Sequence, residues 1–223
     1  MKYANVNELR QLPEPLLRGN CPSCGAVMIA KCGESRIWHW AHKGNRHCDD
    51  WWENETAWHR AWKDCFPAHW QEVVETAPSG ERHIADVKTD RGWVLEIQHS
   101  YLRPEERRSR DAFYQKLIWI VDARRRKRDL EQLNAAWMNG RPVGGNQTLR
   151  KVPTDNCVLL REWVQSESAV FFDTGDAETV VWRLAKSSDG GSFVALFSRP
   201  MLIQILQGTT SNATDQFNAF LAE

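Results

Sequence analysis

Two short alternating segments joined by a tight turn constrain this chain more than any other feature of it. Arg82-His83-Ile84-Ala85-Asp86-Val87-Lys88 has the period of a strand, and Thr89-Asp90-Arg91-Gly92 supplies a turn. Trp93-Val94-Leu95-Glu96-Ile97-Gln98-His99-Ser100 then reads as the return strand. Such a hairpin predicts Asp86 and Glu96 on neighbouring strands, among Ile84, Val94, Leu95 and Ile97. Two carboxylates held close repel each other unless a divalent cation joins them. The plain alternative, a pair of edge-strand acids facing solvent, fits the apolar flanks less well.

Glu96 and Gln98 lie two apart on a strand, so their side chains share a face. Ile97 points the other way, but its backbone carbonyl can reach that face. Asp86, Glu96 and the Ile97 carbonyl would form a partial oxygen shell for Mg2+ or Mn2+, with water completing it. Water on such a cation is a nucleophile suited to attack on phosphorus. Gln98 can orient a water molecule, but it can neither accept a proton as a base nor carry charge.

Upstream, Cys48 to Phe66 reads as a helix, with Asp49 and Asp50 at its N-terminal end and Pro67 as its stop. Glu55, His59 and Lys63 fall at i, i+4 and i+8 on one face of it. Glu55 is a candidate metal ligand, directly or through water. His59 is a candidate contact to the scissile phosphate, and Lys63 to a neighbouring one. The same stripe also reads as a solvated polar face beside Trp51, Trp58 and Trp62.

Nearer the N-terminus, Cys21-Pro22-Ser23-Cys24-Gly25 is a knuckle whose amides point at sulfur. A closed tetrahedral site needs a second pair of ligands, and His42 and Cys48 are the best placed for it. His39, His47 and Cys32 compete for the third and fourth positions. Zinc in a structural role is the expectation. Four ligands leave no open position for chemistry, and the lack of a preceding thioredoxin-like strand disfavours a redox motif.

The formal net charge is +0, so composition alone names no partner. The distribution says more, because Arg103 to Arg128 holds ten cations against four acids. Arg107, Arg110, Arg124, Arg125 and Arg126 are the candidates there, with Lys63, for tracking a phosphate backbone. A solvated helix face explains the same run about as well. Trp is abundant, and Trp38, Trp40, Trp51, Trp52, Trp58, Trp62 and Trp70 fall within 33 residues. Most are expected in the core, with one or two stacking on bases. No run reaches the roughly 20 apolar residues of a membrane span, and the start lacks a signal-peptide core. The chain is therefore expected to be cytoplasmic.

The remaining pattern predicts an α/β fold. Residues 1–20 read as a leader with a docking strand and then loop. Strands are expected over 72–76 and 117–122, a helix over 104–115, and a helical stretch over 123–138. Residues 139–146 read as a Gly-rich loop. Strands follow near 157–162, 169–173, 179–185 and 192–197, and helical pieces near 200–207 and 215–221. Three regions follow: a leader and zinc-binding segment over 1–50, a core over 51–135, and an α+β extension over 136–223.

Read in order, these motifs resemble the competence protein CoiA-like nuclease family. The resemblance rests on Cys21-Pro-Ser-Cys-Gly, Trp38-His-Trp-Ala-His42 and Glu55-x3-His59-x3-Lys63. It continues through Ile84-Ala-Asp86-Val, Glu96-Ile-Gln98-x-Ser100, Arg110-x2-Phe113-Tyr114 and Leu117-Ile-Trp-Ile-Val-Asp122. It implies a restriction-endonuclease-like mixed sheet flanked by helices, of the PD-(D/E)XK group, with a small N-terminal zinc-binding segment. It further implies that Asp86, Glu96 and Gln98 match the active-site signature, Gln98 standing in the lysine position, and that Glu55 and His59 match the preceding helix motif. The expected activity is hydrolysis of DNA phosphodiester bonds, on single-stranded or branched DNA, in DNA processing, recombination or defence. RNA as substrate, and a homodimer or protein partner, are left open. The competing reading is a zinc-containing protein that binds nucleic acid without cutting it.

Overall fold

The structure is a computed structural model, and it describes residues 1–44, 48–51, 54–186 and 191–209. The competing ligand His47, the indole of Trp52 and the helix expected over 215–221 lie outside the described residues. The chain is mixed α/β and divides into two compact units, Met1–Lys88 and Thr89–Glu223.

The first unit opens with an antiparallel sheet. Its strands are β1 (Ala4–Val6), β2 (Leu9–Gln11), β3 (Arg18–Asn20), β4 (Val27–Lys31) and β5 (His39–His42), in the order β2-β1-β3-β4-β5. The expected leader of one strand and loop is thus a three-strand start. Asn7 and Glu8 both take positive φ, so a two-residue turn folds β2 back on β1 with Val6 opposite Leu9. Gly19 lets β3 close on β1, since a Cβ there would stand 2.9 Å from the Asn5 carbonyl oxygen. The core of this sheet is small: Ala4, Cys21, Met28 and Trp40 are buried in it.

Helix α1 (Ala57–Lys63) follows, then the antiparallel pair β6 (Gln71–Thr76) and β7 (Arg82–Lys88). The helix is much shorter than the expected Cys48–Phe66. Thr56 is its N-cap, its side chain accepting from the His59 N–H at 3.1 Å. Asp49 is not a helix-end residue, because its carboxylate is held by β7 instead.

The second unit is built on β8 (Val94–Gln98), α2 (Pro104–Phe113) and β9 (Leu117–Asp122), a parallel strand–helix–strand crossover. It continues through α3 (Asp129–Met138), β10 (Arg141–Val143), β11 (Asn146–Val152), α4 (Val158–Trp163) and β12 (Ala169–Asp173). It closes with β13 (Thr179–Lys186), β14 (Ser192–Ser198) and α5 (Arg199–Gln207). Within this unit the strands lie in the order β10-β11-β14-β13-β12-β9-β8. β8, β9 and β12 run parallel, and β12, β13, β14, β11 and β10 pair antiparallel. Every residue of β9 is buried, as its unbroken apolar run predicts for a central strand.

Three expectations fail here for local reasons. Residues 157–162 were expected as a strand, yet Val158–Trp163 is helix; Leu159, Leu160 and Trp163 give it one buried stripe. A short apolar run does not separate the two states by itself. The Gly-rich stretch is no plain loop, since Gly144 and Gly145 at positive φ turn β10 into β11. The helical stretch begins at Asp129 rather than at residue 123, where the Asp122 carboxylate caps the Arg124 N–H at 2.8 Å in a turn.

Candidate metal centre and acidic sites

The knuckle sequence folds as a tight turn between β3 and β4. The Gly25 N–H donates to the Cys21 carbonyl and the Cys21 N–H to the Ala26 carbonyl, both at 2.9 Å. Gly25 takes φ of 71°, which a side chain would resist. β5 brings His42 to the same place, and Cys48 lies there as well. Cys21 Sγ lies 3.6 Å from Cys48 Sγ, and Cys24 Sγ lies 3.4 Å from His42 Nε2. All four ligand atoms fall within 4.8 Å of one another.

Zinc–sulfur bonds of about 2.3 Å give tetrahedral edges of about 3.8 Å, so the cage has the size of a zinc site. Its chemistry agrees. Burial, with the Cys21 thiol beside it, pushes the Cys48 thiol up to about 12. A cluster of this kind therefore holds protons on sulfur unless a cation offsets their loss. Cys3His with all positions filled by protein is a structural site, without an open position for substrate. Of the rival ligands, His39 Nδ1 is 2.9 Å from the Ile37 carbonyl, and Cys32 is outside the cluster.

In the same unit the expected acidic stripe does converge, with roles of its own. Lys63 Nζ lies 2.6 Å from Glu55 Oε1 and 2.7 Å from Glu72 Oε1. Arg60 Nε donates to Glu55 Oε1 at 2.8 Å. Burial acts to raise the Glu55 carboxyl, but the Arg60 hydrogen bond and the Lys63 charge outweigh it and hold it well below the usual carboxylate range. Burial likewise opposes the Lys63 ammonium, and Glu72, Glu55 and Asp86 more than restore it. Lys63 therefore has no exposed ammonium to offer a phosphate; it is the centre of a buried ion cluster. His59, from the same helix, places Nε2 2.8 Å from Asp86 Oδ1 on β7.

Glu72 was not singled out by the sequence. It takes φ of 48° and its carboxylate accepts from the Lys2 N–H at 2.7 Å and the Tyr3 N–H at 3.0 Å. A charged residue at the edge of an apolar segment gave no sign of this, because Lys2 and Tyr3 are some seventy residues away.

In the second unit Glu96, Ile97 and Gln98 all sit on β8 and all are buried. Glu96 Oε2 accepts from Arg110 Nη1 at 2.7 Å, and Arg110 Nη2 donates to Glu106 at 2.6 Å. Gln98 Nε2 donates to the Ser100 carbonyl at 3.1 Å. Just beyond, His99 Nδ1 lies 2.9 Å from Asp122 Oδ2, a pairing that the sequence reading missed.

The expected phosphate-tracking surface is largely consumed inside the fold. Arg107 is buried and donates to the Glu162 carbonyl. Arg110 serves Glu96 and Glu106. Arg125 pairs with Glu162 and Asp129, and Arg126 reaches Asp129 at 2.8 Å and Glu162 at 2.7 Å. Only Arg124 of this expected set keeps a half-exposed side chain, 3.9 Å from Asp122.

Among the described residues no helix is long and apolar enough to cross a membrane. No curated protein and no solved structure gives a significant match to the chain. Residues 7–50 do match a family model, that of the competence protein CoiA, N-terminal domain. That span holds Cys21, Cys24, His42 and Cys48, so across its cysteine–histidine module this chain is similar to the competence protein CoiA family.

Proposed function

We propose that the protein is a metal-dependent nuclease of restriction-endonuclease-like fold that hydrolyses DNA phosphodiester bonds on single-stranded or branched substrates. The observation that carries this reading is the 2.8 Å contact between His59 Nε2 and Asp86 Oδ1. It joins, within one unit, the helix motif and the strand acid that the sequence marks as parts of one active site. Asp86 and Glu96 would supply carboxylates, and Ile97 a carbonyl, to Mg2+ or Mn2+, and hard oxygen donors suit those ions. Each carboxylate is also fixed by a nitrogen donor, His59 for Asp86 and Arg110 for Glu96. When bound, the cation supplies charge neutralisation and an acidified water.

The protein's own part is positioning. His59 orients Asp86, and the Glu55–Lys63–Glu72 cluster fixes the helix that carries His59. Arg110 orients Glu96, and the Gln98 amide can align a water but take no proton from it. Arg124 remains for the substrate backbone. Purified protein on labelled linear, single-stranded and forked DNA and on RNA, with magnesium, manganese or chelator, tests this. Asp86→Ala and Glu96→Ala should each reduce cleavage at least about a thousandfold. Cleavage by Asp86→Ala at the wild-type rate, with contaminating nuclease excluded, sinks the reading.

One observation favours a second reading. Gln98 occupies the expected lysine position, and its amide nitrogen donates to the Ser100 carbonyl. A protein that binds nucleic acid without cutting it would have that property, and salt-sensitive binding with no cleavage in any metal would establish it.

A further inference from the structure

Both arms of the cysteine–histidine cage grip the start of β7, the strand that carries Asp86. Ser23 lies between the knuckle ligands Cys21 and Cys24, and its carbonyl accepts from Arg82 Nη1 at 2.7 Å. Asp49 directly follows the ligand Cys48 and is buried. Its Oδ1 lies 2.8 Å from His83 Nδ1 and accepts from the Trp51 N–H at 3.0 Å. Its Oδ2 accepts from the Ile84 N–H at 2.8 Å. The Trp51 indole lies flat on the His83 ring, centroids 3.2 Å apart. Glu81 Oε1 holds the other nitrogen of that ring at 2.9 Å. Three successive residues of β7, Arg82, His83 and Ile84, are thus tied to residues that adjoin zinc ligands. Asp86 is two residues further along the same backbone.

We infer that Asp49 is a positioning residue that couples the filled cage to the placement of Asp86, with Arg82 as a second tether. This rests on the reading of Asp86 as a working carboxylate. A filled cage fixes the chain at Cys21, Cys24 and Cys48, and so fixes the Ser23 carbonyl and the Asp49 carboxylate. Those two acceptors then fix the register and tilt of β7. Loss of zinc, or oxidation of the thiols that hold it, releases both acceptors at once. The module would then govern turnover while contributing no group to the reaction. A misplacement of about 1 Å at a reacting group can cost about a hundredfold in rate.

The test is site-resolved amide exchange on the zinc-loaded 223-residue chain, beside zinc content and cleavage kinetics. Asp49→Ala should speed exchange at Ile84, Ala85 and Asp86 about tenfold, with β4 and β5 unchanged and zinc still bound. Arg82→Ala should act on the same amides to a smaller degree. Chelated wild type should show β7 at least as loose as Asp49→Ala. In cleavage, Asp49→Ala should lower kcat about tenfold with KM for DNA unchanged, and Asp49→Asn should recover part of it.

Unchanged β7 exchange in zinc-loaded Asp49→Ala overturns the coupling. So does a spread of the effect to β4 and β5, which marks general loosening of the unit. If Asp49→Ala does not fold, Asp49→Asn and Arg82→Ala carry the same comparison. If wild-type protein cleaves nothing, the nuclease reading falls, and the exchange arm still decides whether the cage tethers β7.

Discussion

The knuckle sheet of the first unit and the parallel strands of the second are stabilised by different means. Among the described residues the former buries only four hydrophobic residues fully, Ala4, Cys21, Met28 and Trp40, and adds a cage of three thiols and an imidazole. The latter sets Leu95, Ile97, Ile118, Trp119, Ile120, Val121, Phe171 and Phe172 side by side, each almost wholly buried. At about 25 cal/mol per Å2 of apolar surface, the second can hold itself together by exclusion of water. The first buries far less, and adds cross-links: a cysteine–histidine cage of the size of a zinc site and a buried ion cluster around Lys63. The lesson is that a short segment with little apolar content can still be a fixed point, if its contacts are strong and few.

Removing the metal is the largest way to break that contrast. Structural zinc is worth about 10–16 kcal/mol of apparent binding energy at neutral pH. Chelation or Cys24→Ser should therefore abolish amide protection in β3 to β5. The strands β8, β9 and β12 should keep theirs, as hydrogen exchange on the whole chain would show.

Phe171→Ala comes next and should do the reverse. Phe171 is fully buried and stacks on Trp182 with centroids 5.7 Å apart. Its loss should cost about 3–5 kcal/mol in urea unfolding of the second unit, with one equivalent of zinc retained. A loss of zinc in this variant would show that the two means of stabilisation are not separate.

Smaller, and sharper, is the pH dependence of the ion cluster. The folded Glu55 carboxyl lies below its ordinary value of 4.5, so its stabilisation is present above that value and fades as pH falls through the folded one. Glu55→Gln should cost about 3 kcal/mol at neutral pH, since it leaves Lys63 and Arg60 short of a counter-charge. Its deficit against wild type should shrink steadily below pH 4.5 in parallel urea melts. A deficit that stays constant with pH would assign Glu55 a packing role alone.

Legibility from sequence tracked the range of the contacts. The zinc ligands were legible because Cys-x2-Cys fixes its own turn and His42 and Cys48 come soon after. β7, β8 and β9 were legible because alternation and a continuous apolar run are local signals. The true start of α1 was not, because Asp49 looks like a helix cap until its partners His83 and Ile84 are seen, 34 and 35 residues away. The run Arg124-Arg125-Arg126 looked like a surface for phosphate because Glu162, which takes up two of those guanidinium groups, lies 36 or 37 residues on. Asp86 and Glu96 were visible as a chemical pattern; that His59 attends one and Arg110 the other took coordinates to see.

The parallel pairing of β9 with β12 also has a kinetic side. β9 is complete at Asp122, but its partner begins at Ala169, beyond α3, β10, β11 and α4. The hairpins of the knuckle sheet join near neighbours and close early, whereas a pairing across so long a loop forms late. Until it does, an unbroken apolar strand is open along one edge, and such an edge invites other chains. Refolding yield should therefore fall as protein concentration rises, whatever the supply of zinc. The strand that makes the second unit durable once formed is the one that makes it hazardous to form.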